Sequence, residues 1–211
     1  MEWYQILAVI SAILCITLLT AKLVNLIKLG LPKELSQPSG SVKEGIVYSF
    51  TGAMSPKAKE SAYMHMPTYL GGIVYHIGTF VSLFLFPFIL FLSDKADRVP
   101  VMILYFVAAA LTISSMAGAG ILVKRIMTDK LRYFSSADDY ISNILTTAIQ
   151  VVTALILIDA IDPVLYYSTA AILFVWMPFG KTRHLLYFFF ARVNLGYFYG
   201  RRGTWPPIKK N

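Results

Sequence analysis

"PFGKTRHLLYFFFAR", Pro178 to Arg192, ends an apolar run that begins near Val164. A proline closes the run, and His184 follows six residues later among Lys181, Arg183, Arg192 and a block of aromatics. The sequence has 3 histidines in all. Whether this run is a last membrane crossing, with a histidine near its end, decides both the number of spans and what the histidines can do.

The rest of the chain sets the context for that choice. With 57% hydrophobic and 14% charged residues and a mean hydropathy of +0.64, the composition is far from that of a soluble domain. It predicts an all-α integral membrane protein. A hydrocarbon core takes about 20 residues of helix to cross, and five segments meet that length: roughly 3–27, 69–92, 99–123, 140–161 and 164–190. The expected architecture is a five-helix transmembrane bundle forming one domain over 1–211. An inner loop covers about 29–62 and a tail about 191–211.

Basic residues orient the bundle. Lys28, Lys33, Lys43, Lys57 and Lys59 follow the first span; Lys124, Arg125, Lys130 and Arg132 follow the third. The tail carries Lys181, Arg183, Arg192, Arg201, Arg202, Lys209 and Lys210, whereas the opposite side has Lys95 and Arg98. By the positive-inside rule the N-terminus is outside and the C-terminus cytoplasmic, with short outer loops at 93–98 and 159–163. This predicts a multi-pass protein of the cytoplasmic membrane. The opening Met-Glu-Trp-Tyr lacks positive charge, so the first helix is expected to be retained rather than cleaved as a signal peptide. The net charge of +8 is read as topology or as a docking surface for an acidic partner or anionic lipid; no nucleic-acid partner is expected. The lone Cys15 excludes an internal disulfide and a cysteine-ligated cluster, so an iron–sulfur centre has to belong to another subunit.

Depth brings two histidines to one level. His76 stands about seven residues into a helix entering from inside, on the order of 10 Å deep at about 1.5 Å per residue. His184, near the inner end of the last span, comes to a similar or shallower depth. Two imidazoles opposed across a bundle can ligate the iron of a b-type haem. Gly72, one turn before His76, would let a porphyrin edge approach, and Phe80, one turn after, offers an aromatic wall. The competing reading makes both histidines buried hydrogen-bonding residues and the glycine a packing site.

Other features carry weaker signals. His65, eleven residues before His76 with Pro67 between them, reads as an interfacial loop residue, a quinone contact or an alternative axial ligand. Ala110, Ser114 and Gly118 repeat at four-residue spacing and predict a helix-packing face. Asp138 and Asp139 open the fourth span and suit either a helix N-terminus or proton acceptance beside a quinone. Ser55 and Pro56 resemble a helix start in the inner loop. The aromatic run 187–199 reads as an interfacial anchor or a partner-docking segment.

"YHIGTFVSLFLF", "KLRYFSSADDYISNIL" and "PFGKTRH" resemble the cytochrome b subunit of respiratory nitrate reductase, the gamma subunit, and its relatives in sulfite-reduction and heterodisulfide-reductase complexes. The likeness runs from about Tyr75 to His184. It implies five spans, an outside N-terminus and quinone-linked haem b, with His76 and His184 as axial and metal ligands and Gly72 and Phe80 beside the cofactor. The second histidine pair of that family falls close to Phe86 and Tyr166, neither a replacement ligand, so one haem is expected. The implied function is electron transfer between menaquinone or ubiquinone and a cytoplasmic iron–sulfur subunit, within a multi-subunit oxidoreductase embedded in membrane lipid. A lone inner haem puts the quinone near His65, Tyr75, Asp138, Asp139 and Tyr140. An outer site near Arg98 is the competing location. The alternative function is a haem-free anchor or quinone-binding subunit of such a complex, and a transporter is a distant third because broken or repeated halves are not evident.

Overall fold

The computed structural model describes residues 1–31, 35–58, 63–92 and 99–207. Lys95 and Arg98, with the expected outer loop at 93–98, therefore lie outside the described residues, as do Lys33, Lys59, Lys209 and Lys210. Among the described residues all regular structure is helical. In chain order the α-helices are α1 (Trp3–Lys28), α2 (Val42–Phe50), α3 (Met66–Leu92), α4 (Val101–Met127), α5 (Asp129–Tyr133), α6 (Ala137–Ile156), α7 (Pro163–Trp176) and α8 (His184–Arg201). The helices α1, α3, α4 and α6 are long and apolar enough to cross a membrane, and α7 with α8 makes a fifth candidate only if the pair counts as one span. The protein thus has the build of a multi-pass membrane protein.

The fifth span departs from expectation. A continuous helix over 164–190 is predicted, but α7 stops at Trp176 and a short 3₁₀ turn at Lys181–Arg183 precedes α8. Pro178 explains the stop, because it has no backbone N–H to continue the helical hydrogen bonds; Met177 before it is still helical and donates to the Leu173 carbonyl. The N–H groups of Phe179 and Gly180 both turn back to the Trp176 carbonyl, at 3.0 and 2.9 Å. Gly180 lies under the Trp176 indole, leaving no space for a Cβ. Apolarity resumes beyond the break, which is why hydropathy alone runs the two helices together.

The chain reads as one domain in sequence, yet its contacts group into two compact units: Met1–Thr17 with Pro67–Thr182, and Leu18–Met66 with Arg183–Asn211. In the first unit α4 packs on α6 and α6 on α7. The α6–α7 connection turns through Asp159 at φ 52°, a left-handed conformation that Asp tolerates better than most residues. Asp162 then caps α7, accepting from the Val164 N–H at 2.7 Å ahead of Pro163 in the first turn. Of the expected small-residue face on α4, Ser114 and Gly118 are buried, whereas Ala110 is exposed. Ala108, Leu111 and Ala154 form the apolar core beside them.

The second unit is organised by α2 and α8. The helix α2 is absent from the expectations, although Ser41 caps it through the Glu44 N–H at 3.3 Å. A 3₁₀ turn at Pro56–Ala58 stands where the Ser55–Pro56 helix start is expected. Gly45 on α2 meets the backbone of Gly196 and Gly200 on α8 so closely that no side chain fits there. The Ser49 hydroxyl is shared between the Ile46 and Arg192 carbonyls, each at 2.8 Å. Phe50 stacks on Phe189 at 6.3 Å and Tyr48 meets Trp205 edge-on at 5.5 Å. The aromatic run 187–199 is thus part of a packed helix rather than a loose tail.

Candidate functional site

Helix α3 carries Gly72, His76 and Phe80 at four-residue spacing, so the three share one face. All three were expected on helical periodicity, and the structure brings them together there. His76 is exposed, which does not match the competing reading of it as a buried hydrogen-bonding residue between helices. Its Nδ1 lies 2.6 Å from the Gly72 carbonyl oxygen one turn earlier. A carbonyl can only accept, so Nδ1 donates here, and in the neutral form of the imidazole the lone pair lies on Nε2. Metal-binding histidines are commonly fixed in this way, by giving their other N–H to a backbone carbonyl.

The surface on this face is open. A Cβ built on Gly72 meets nothing within 4 Å, in contrast to Gly78 and Gly118 on the packed faces. From Phe80 onward an open apolar cavity of about 440 Å³ runs between α3 and α4, lined by Phe80, Val81, Phe84, Leu85 and Val107.

The other face of α3 is closed. Tyr75 is 9% exposed, with its ring against Gly118 and its hydroxyl 3.0 Å from the Asn143 carbonyl oxygen. The same hydroxyl bonds Thr146 and accepts from Thr147 at 3.3 Å. One turn on, Gln150 Nε2 donates to Thr79 Oγ1 at 2.8 Å and to the Thr146 carbonyl at 3.1 Å. Ser114 donates to the Val74 carbonyl at 2.8 Å. Most of these partners come from α6, whose Ser142, Thr146 and Gln150 recur every four residues. This polar seam was missed in the sequence, although the spacing in "ISNILTTAIQ" carries it.

The seam begins at the start of α6, where Asp138 and Asp139 lie. Asp139 completes a capping box with Ser136 and accepts from Lys181 Nζ at 2.6 Å, with Arg125 at 3.4 Å. Asp138 accepts from the Ser142 hydroxyl at 2.7 Å and the Lys181 N–H at 3.0 Å. Trp176 donates to Ser142 Oγ at 3.0 Å, closing the ring of contacts. These bonds agree with the helix-terminus reading of the two aspartates. Of the expected quinone residues, Tyr75, Asp138 and Asp139 therefore share one seam. Tyr140 is half-buried on α6, and His65 is an exposed turn residue immediately before α3.

His184 is the first residue of α8 and is exposed. It belongs to the second compact unit and His76 to the first. At the positions matched to the second histidine pair, Phe86 and Tyr166 face each other with ring centroids 6.5 Å apart. Both are buried, and Tyr167 and Phe174 pack on Phe86 from α7. Among the described residues no group of three or more His, Cys, Asp or Glu side chains is arranged to hold a metal ion. Axial ligation of a haem needs two imidazoles and so falls below that number. Compared with protein-family models, curated proteins and solved structures, the chain matches none.

Proposed function

We propose that the chain is a cytochrome b-type subunit of the cytoplasmic membrane, similar to the gamma subunit of respiratory nitrate reductase. It passes electrons between menaquinone or ubiquinone and a cytoplasmic iron–sulfur subunit through one haem b. The N-terminus is outside and the C-terminus cytoplasmic. The observation that carries this reading is the His76 face: an imidazole whose Nδ1–H is held by Gly72, on an open surface that leads into the apolar cavity at Phe80.

His76 would be one of the residues that hold the haem iron, with its ring orientation set by the Gly72 carbonyl. His184 is nominated for the other axial position by the sequence resemblance. Gly72 keeps the helix surface low, and Phe80 provides an apolar wall. Haem b, when bound, supplies one-electron transfer. The contact between Phe86 and Tyr166 also supports the resemblance, because the two positions it pairs do face each other. For the quinone, the candidates on the inner side remain His65, Tyr75, Asp138, Asp139 and Tyr140.

The hydrogen bond to Gly72 would equally satisfy an imidazole on a haem-free anchor, so the two readings part at the spectrum. In the first, the purified chain shows the reduced-minus-oxidised bands of a six-coordinate haem b. His76→Ala and His184→Ala each lose haem, and His65→Ala keeps it. A chain purified from haem-replete cells without such bands, or a normal six-coordinate spectrum in either alanine variant, overturns the assignment.

A further inference from the structure

The charge of the chain is divided unevenly between its two units. The second unit, Leu18–Met66 with Arg183–Asn211, holds 12 of the 19 Lys and Arg residues but 3 of the 11 Asp and Glu, namely Glu34, Glu44 and Glu60. From Arg183 to Asn211 the sequence has no acidic residue. The first unit is close to neutral and contains the ion pairs of Arg125 and Lys181 with Asp139 and of Arg132 with Asp129. The formal charge of +8 therefore belongs to the second unit.

Helix α8 shows how that charge is presented. Gly196 and Gly200 give one face to α2. Phe188, Leu195, Phe198 and Arg202, spaced by seven, three and four residues, lie together on another face, and Phe188, Leu195 and Arg202 are exposed there. Two guanidinium groups lie over its rings: Arg192 is 5.5 Å from the Phe188 centroid and Arg202 3.9 Å from that of Phe198. Exposed Lys43 stands at the Arg202 end of the helix pair, because the N–H groups of Ser39 and Gly40 donate to the Arg201 carbonyl at 2.9 and 3.1 Å.

An apolar ring with an arginine laid across it suits the boundary of a bilayer, where the ring meets acyl chains and the guanidinium meets phosphate. The chain itself tethers the unit to that boundary. The unit begins within α1 and hands on to α3 at Met66, and both helices are long and apolar enough to cross a membrane. An acidic soluble protein would answer the charge, but the tether favours lipid. We propose that α2 and α8 form a binding surface for anionic phospholipid, with Arg192 and Arg202 on the headgroup phosphate and Phe188 and Leu195 against the acyl chains. The proposal rests on the multi-pass build and not on haem.

The test is thermal unfolding of the full chain in a neutral detergent, titrated separately with short-chain phosphatidylglycerol, phosphatidylcholine of the same chain length, inorganic phosphate and polyglutamate. A ligand that binds the native state raises Tm with its concentration. Expected is a rise with phosphatidylglycerol alone, diminished by added salt. Its midpoint concentration should increase about fivefold for each arginine removed, and roughly thirtyfold in Arg192→Gln combined with Arg202→Gln. Lys130→Gln combined with Arg132→Gln, in the first unit, should leave the midpoint unchanged. No rise with phosphatidylglycerol, an equal rise with phosphatidylcholine or inorganic phosphate, or an equal loss in the first-unit variant overturns the proposal. A rise with polyglutamate alone also overturns it and marks an acidic protein as the partner. If the double arginine variant fails to fold, Arg202→Gln alone and the wild-type titrations decide.

Discussion

Tyr75 and His76 are consecutive residues with opposite surroundings. The side of α3 that carries Tyr75, Gly78, Thr79 and Ser82 is closed against α4 and α6 by side-chain hydrogen bonds. The side that carries Gly72, His76 and Phe80 is open and, apart from the imidazole, apolar. Glycine serves both sides for different reasons. On the closed side it admits a neighbouring helix, and on the open side it leaves a surface without a Cβ. The contrast shows that a glycine one turn from a histidine is not in itself a packing glycine; what a Cβ would meet distinguishes the two.

Exchanging those glycines is the sharpest way to break the comparison. Gly78→Ala drives a Cβ into Ser114 and Gln150 and should cost about 1–3 kcal/mol, as overpacking does. Gly72→Ala meets open space and should leave the haem-free fold unchanged or stabilise it by up to about 1 kcal/mol through helix propensity. Thermal unfolding in detergent reads both, and equal effects would dissolve the distinction between the two sides. Gln150→Leu keeps the volume but removes the donor to Thr79, for an expected cost of about 1–2 kcal/mol. Under the proposed function its haem spectrum stays normal; a loss of haem together with fold would show that the sides are coupled. The smallest effect belongs to Lys181→Ala at the rim of the closed side. The Lys181 side chain is 53% exposed where it pairs with Asp139, so about 1 kcal/mol or less is expected, with the Lys181 N–H bond to Asp138 kept.

The open side was legible in the sequence because it rests on a single periodicity: Gly72, His76 and Phe80 within one unbroken helix. The closed side was not. Its partners come from three helices, and on α6 attention fell on the charged Asp138 and Asp139 rather than on Ser142, Thr146 and Gln150 four residues apart. Long apolar runs located α1, α3, α4 and α6, with ends that differ from the expected ones by about five residues at most, at the C-terminus of α6. Pro178 was visible as the end of an apolar run but not as a break, because Leu185 to Phe190 restore the hydropathy that a span requires. The helix α2 went unread although Ser41 and Glu44 mark its start: nine residues of mixed polarity show no face until α8 supplies one.

The glycine contact between α2 and α8 also sets an order of events during synthesis. Ser49 and Arg192, joined by a hydrogen bond, are 143 residues apart in sequence. At about 5–20 residues per second this separation takes roughly 7–30 s to translate. For that interval α2 has emerged while the backbone that covers Gly45 does not yet exist. A chain interrupted between Trp176 and Gly196 keeps every helix from α1 to α7 but leaves the Gly45 face bare, so completion of the second unit reports that translation has reached α8.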